Sequence, residues 1–227
     1  MTVALVVVLI FVKEPEKITS EPSEEKRSVF ENLKIVYHNP DRSGFYVLLG
    51  ILFWFMAFNA LETGLSSFAV FTLGMTAGTA SIYTGLVTVA VIIFSIPAGL
   101  FGTRYGRGPI IRIGLIGLIV LSLLGFFLIQ NTMSFAIVLV LVGIFWALIN
   151  VNSLPLVYDH GDEKRIGAFT GLYYLSSQFA AVLGPTLGGI LVDSLSNQYR
   201  WLWLFASVFM AVALLMMFQV KRGEATA

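Results

Sequence analysis

One acid, Glu62, stands inside the apolar run from Phe45 to Leu73. A carboxyl in hydrocarbon costs about 2.5–3.5 kcal/mol on insertion scales, so such a residue faces a bundle interior or a solute path. At 1.5 Å per residue it lies about 25 Å along a helix begun at Phe45. Asn59, Thr63 and Ser66 share its face by three-and-four spacing, which makes a polar stripe. Two chemistries fit: a carboxyl that exchanges a proton or bonds solute hydroxyls as the site opens to either side, or a protonated carboxyl gluing its helix to a neighbour.

Further polar groups fall in later apolar runs. Asn150, Asn152 and Ser153 cluster in one, and Tyr174, Ser177 and Gln178 in another. Gln178 lies about 18 Å into a helix begun at Ile166, near a midplane. For all of these, helix-to-helix hydrogen bonding is the alternative to solute contact. Trp54 and Trp146 offer ring faces that can stack on a sugar, with packing or a lipid-facing position the weightier expectation for each. The chain has no cysteine, and both histidines, His38 and His160, sit in polar stretches, so no thiolate or intramembrane imidazole metal site is expected. No Gly-x-Ser-x-Gly, phosphate loop or paired carboxylates suggest an enzyme, and no cofactor is implied.

These residues need elements to hold them. With 57% hydrophobic and 12% charged residues over 227 positions, the composition is that of a polytopic membrane protein. At about 20 residues per crossing, six spans are predicted: 45–73, 80–101, 109–128, 134–157, 166–192 and 201–220. Residues 1–12 are apolar but too short to span and read as a truncated helix stub. Residues 13–44 form a charged linker with one amphipathic turn near Val29 to Val36, and 221–227 a polar tail. Pro155 and Pro185 loosen two spans, and Gly184, Gly188 and Gly189 permit close helix approach.

Charge orients the spans. The stretch Gly99 to Arg112 carries Arg104, Arg107 and Arg112 and reads as a short basic turn between two spans. Lys13, Lys17, Lys26, Arg27, Lys34, Arg42, Lys164, Arg165, Lys221 and Arg222 fall on the same side, leaving Arg200 alone on the other. Lys and Arg are retained in the cytoplasm, so the chain is expected in the cell membrane with both termini cytoplasmic. Trp201 and Trp203 beside Arg200 suit an outer aromatic belt.

The turn also carries a resemblance. Gly99, Arg104, Gly106 and Arg107 follow G-x-x-x-[D]-R-x-G-R, which resembles the loop signature of the major facilitator superfamily between its eighth and ninth helices. Thr103 stands where that pattern has an acid. The resemblance implies an all-α fold of two six-helix halves, each of inverted three-helix repeats. Stub, linker and six spans would then be the end of helix six through helix twelve. The strings Trp54-Phe55-Met56-Ala57-Phe58-Asn59-Ala60-Leu61-Glu62-Thr63, Trp146-Ala147-Leu148-Ile149-Asn150-Val151-Asn152-Ser153-Leu154-Pro155, and Gly171-Leu172-Tyr173-Tyr174 with Gly184-Pro185 look like the glycoside-pentoside-hexuronide and sucrose-transporter group.

That likeness implies a secondary transporter giving facilitated or cation-coupled movement, with H+ or Na+, of a small polar solute, a sugar being the suggested class. Besides solute and lipid, it would need the missing N-terminal half or a second copy; no nucleic-acid partner is suggested. Glu62, Asn59, Gln178, Asn150, Asn152, Tyr174, Trp54 and Trp146 are the candidate solute and coupling residues. Gly99, Arg104, Gly106 and Arg107 are the candidate gating loop, with Asp159, Asp162 and Glu163 as acidic partners. The competing expectation is a non-transporting remnant or an assembly partner for another membrane chain.

Overall fold

The computed structural model describes residues 29–38, 41–159 and 166–221. The stub at 1–12, most of the linker, and Asp162 and Glu163 lie outside the described residues. A short helix α1 (Val29–His38) precedes six long ones: α2 (Ser43–Leu73), α3 (Ala77–Tyr105), α4 (Arg107–Leu128), α5 (Thr132–Tyr158), α6 (Ile166–Ser194) and α7 (Trp201–Phe218). All six are long and apolar enough to cross a membrane.

The helices outrun several of the apolar stretches that announce them. Where a basic turn was expected from Gly99 to Arg112, α3 continues to Tyr105 and α4 begins at Arg107, so Gly106 alone makes the turn. Its φ of 90° lies where a side chain is strained, which suits glycine. The physical reason for the longer helices is that arginine stems lie along apolar surface while their heads reach polar groups, so charge need not end a helix. Polar caps set other starts. Asn131 Oδ1 accepts from Ser134 N at 2.9 Å and opens α5, and Thr76 Oγ1 accepts from Thr79 N at 3.3 Å near the start of α3.

Packing divides the bundle into two equivalent units, α2–α4 and α5–α7. α2 packs chiefly on α6 and α7, as α5 packs chiefly on α3 and α4, while α4 and α7 pack on each other. Each unit thus completes the other, the arrangement of an inverted repeat. A glycine allows close approach in both main pairs. A Cβ on Gly143 of α5 would come within 2.6 Å of Val87 O on α3, and one on Gly184 of α6 within 2.3 Å of Met56 O on α2. The core between the units holds Trp54, Phe68, Ile111, Leu115, Phe135 and Ile149, each fully buried.

Two arginines fasten the α4–α7 pair at opposite ends. Arg112, inside α4, donates to Met217 O at 3.2 Å and Val220 O at 3.1 Å, at the end of α7. Arg200, before α7, donates to Phe126 O at 2.7 Å and Ile129 O at 3.1 Å, at the end of α4. Arg200 supplies donors to carbonyls that the end of α4 leaves without intrahelical partners, and Arg112 adds donors to Val220 O and to Met217 O, which also accepts from Val220 N at 3.4 Å. Lys221 N donates to Ser43 Oγ at 3.0 Å, so the start of α2 and the end of α7 meet.

Candidate functional site

Helical spacing separates the sequence candidates by face. Glu62, Asn150, Tyr174 and Gln178 are exposed, Asn59 is half-buried, and Asn152, Trp54 and Trp146 are buried. The Glu62 carboxylate accepts no hydrogen bond and joins no ion pair among the described residues. Beside it Asn59 and Thr63 turn inward to their own helix: Asn59 Nδ2 donates to Phe55 O at 2.7 Å, and Thr63 Oγ1 to Asn59 O at 2.8 Å. Glu62 is therefore the free polar head of the expected stripe.

Asn150 and Asn152 are two residues apart, and a turn of about 200° puts them on opposite sides of α5. Asn152 is sealed between helices, where its Nδ2 donates to Ala98 O at 3.0 Å and Leu148 O at 2.9 Å. It ties α5 to α3 and has little surface left for a solute. Gly102 makes room for it, since a Cβ there would fall 1.7 Å from Asn152 Oδ1.

The tryptophans also go to packing. Trp54 is fully buried, with its ring packed over Gly50, and its indole N–H has no acceptor among the described residues. Trp146 is only 5% exposed because its ring lies flat on Phe58, with centroids 3.8 Å apart and planes 1° from parallel. Phe55 meets Trp146 edge-on at 5.3 Å and Tyr173 at 6.2 Å. Tyr173 OH and Ser153 Oγ are 3.1 Å apart, joining α6 to α5. These aromatic rings, which sequence reading did not single out apart from Trp146, form a packed junction of α2, α5 and α6. Their only signal was an aromatic at three-residue spacing, Phe55 and Phe58, one turn before Glu62.

The exposed polar groups are spread along the bundle. Gly184 abuts Met56, and α2 and α6 run in the same direction. Gln178 lies six residues before Gly184 and Glu62 six after Met56, which displaces them about 9 Å each in opposite senses. They are thus roughly 18 Å apart along the axis, too far for one small ligand to bridge at once. Asn150 lies between these levels, one turn from Trp146.

At the Gly106 end, Arg107 Nη1 donates to Pro155 O at 2.8 Å and Asp159 Oδ1 at 2.7 Å, pinning α4 to the end of α5. Gly99 is packed near Val151, and Thr103 Oγ1 donates to Gly99 O at 3.0 Å rather than meeting a cation. Arg104 is exposed, lies 5.4 Å from the Tyr105 ring centroid, and has no acidic partner among the described residues.

Two interlocked three-helix units of span-length apolar helices, with an arginine turn at one end, define an inverted-repeat membrane architecture. The family model described as Major Facilitator Superfamily matches residues 69–226. The chain belongs to the Major Facilitator Superfamily. It is 30% identical over 149 residues to the uncharacterized MFS-type transporter YvkA of Bacillus subtilis (strain 168), covering 63% of this chain and 33% of YvkA. It is 30% identical over 135 residues to a quinolone resistance transporter of Acinetobacter baumannii, covering 58% of this chain and 30% of that protein. The transporter FucP in its outward conformation shares the fold with a TM-score of 0.76 at 18% identity, over 97% of this chain and 53% of FucP. A POT family transporter gives a TM-score of 0.70 at 16% identity, over 83% of this chain and 41% of its own. The matches thus span about a third of the curated relatives and about half of FucP.

Proposed function

We propose that this chain supplies the C-terminal six helices of a secondary transporter that moves a small polar solute, a sugar, by alternating access with H+ or Na+. The observation that carries the reading is Glu62: a carboxylate on the open face of a span, with no partner among the described residues, beside a packed aromatic junction. A carboxyl so placed is held in reserve for a proton, a cation or a solute hydroxyl. Asn150, Tyr174 and Gln178 add donors and acceptors along the same molecule, each serving a different stage of passage, given their spacing. The companion N-terminal half, or a second copy, closes the path. The excess of Lys and Arg at the Arg104 end supports a cytoplasmic location for that end and for both termini. The fucose:proton symporter FucP of E. coli, which shares the fold, supports the sugar and proton elements of the reading.

A second reading takes the solute to be a planar aromatic amphiphile, which the quinolone resistance relative favours. Proteoliposomes holding the chain with its N-terminal companion half separate the two. Labelled hexose uptake driven by a proton or sodium gradient is expected, with at least a tenfold loss of gradient-driven uptake in Glu62→Gln and retained exchange of bound solute. Gradient-driven hexose uptake unchanged by Glu62→Gln would remove Glu62 from the mechanism, and movement of a fluorescent quinolone without hexose would replace the sugar.

A further inference from the structure

An apolar cavity of about 550 Å³ lies between α3, α4 and α5, away from the exposed polar groups Glu62, Tyr174 and Gln178. Phe94, Pro97 and Phe101 of α3, Ile110 and Ile113 of α4 and Leu148 of α5 line it, and Tyr105 stands at its end. Apart from the Tyr105 hydroxyl its lining side chains are hydrocarbon, so it suits neither a sugar nor water. α4 packs on α5, α7 and, more lightly, α3, so the cavity lies on the flank that α4 shares with α3. Glu62, Tyr174 and Gln178 belong to α2 and α6 instead.

Length and charge point to an occupant. From Phe94 to Tyr105 the lining of α3 runs about 16 Å, which matches one leaflet of a hydrocarbon core about 30 Å thick. Phe94, Phe101 and Ile113 are exposed along its rim, so the cavity is open from the side to an extended chain. At the end where a headgroup would sit, Arg107 is committed to Asp159 and Arg112 donates to the end of α7. Arg104 remains, its guanidinium beside the ring of Tyr105 and without an acidic partner among the described residues.

We propose that this cavity holds one acyl chain of an anionic phospholipid whose phosphate is bound by Arg104. The site is independent of the solute assignment and would persist whatever the transporter carries.

The test uses the chain in nanodiscs of phosphatidylcholine containing trace phosphatidylglycerol with a photoreactive group on one acyl chain, and in parallel phosphatidylcholine bearing the same group. Labelling is expected on the peptides containing Phe94, Phe101, Ile113 or Leu148. Phosphatidylglycerol should be favoured about fivefold, the factor equivalent to about 1 kcal/mol for one arginine near a charged surface. Arg104→Gln should bring it down to the phosphatidylcholine level. Ile113→Trp, at an exposed lining position, should fill the cavity and suppress both labels. Equal labelling by the two lipids, a preference that survives Arg104→Gln, or label scattered over all lipid-facing helices would overturn the proposal. So would stronger labelling of these peptides by a phosphate-free aromatic amphiphile.

Discussion

Replacing Arg200 by alanine removes one of the two fasteners of the α4–α7 pair. The side chain donates to Phe126 O at 2.7 Å and Ile129 O at 3.1 Å, and its guanidinium lies 5.9 Å from the Phe68 ring centroid. Hydrogen bonds to a charged group contribute about 1.5–3 kcal/mol each when buried. Arg200 is only half-buried, so about 1 kcal/mol each is the appropriate value here. The ring contact adds about 0.5 kcal/mol. The expected loss is about 2–3 kcal/mol, well above the roughly 0.6 kcal/mol of an average polar pair between membrane helices. The difference arises because the carbonyls at the end of α4 have no intrahelical donors to fall back on.

Equilibrium unfolding of the purified chain in bicelles measures this loss. Arg200→Lys keeps a cation near the negative end of α4 but only one bond, and should lose about half as much as Arg200→Ala. Arg112 and the acceptors of Arg200 are separated by 14 residues of α4, about 21 Å. Losses from Arg112→Gln and Arg200→Ala should therefore add to within about 0.5 kcal/mol. A loss below about 0.5 kcal/mol for Arg200→Ala, or a double variant no worse than either single one, would refute the view that the two ends are independently clasped.

Two further outcomes follow from contacts in the bundle. Gly102→Ala should cost about 2–3 kcal/mol, because its Cβ would displace Asn152 and break the α5–α3 bond, and adding Asn152→Ala should restore most of the loss in the same unfolding assay. The Arg107 and Asp159 side chains are 32% and 38% exposed, so a double-mutant cycle should give a coupling below about 1 kcal/mol that shrinks further in high salt.

The six spans were legible because hydrocarbon tolerates few charges, and a run of about 20 apolar residues has few other destinations. Their faces were less so. Most side chains in α2 and α5 are apolar on every face, which weakens the contrast that marks a buried stripe in a water-soluble helix. Trp54 and Trp146 could thus be placed in the membrane but not assigned to core or path, and both pack. Asn152 and Asn150 looked alike in sequence, yet only one faces a neighbouring helix. The role of Arg200 left no sequence signal, because its acceptors are backbone carbonyls that any residue would supply. Arg112 counts among the turn cations in the sequence although the expected span 109–128 already contains it, and its acceptors are again backbone carbonyls.

The junction of Ser43 with Lys221 bears on how freely the chain could be re-threaded. Joining those neighbouring ends and cutting at the polar turn before α5 would give a circular permutant in which α5–α7 precede α2–α4. Every contact among the six spans would survive, though not those of α1, yet the new ends would emerge from the opposite face of the membrane. Order of synthesis and sidedness of the termini are therefore separable from the architecture itself, which depends on complementary triplets and not on which is made first.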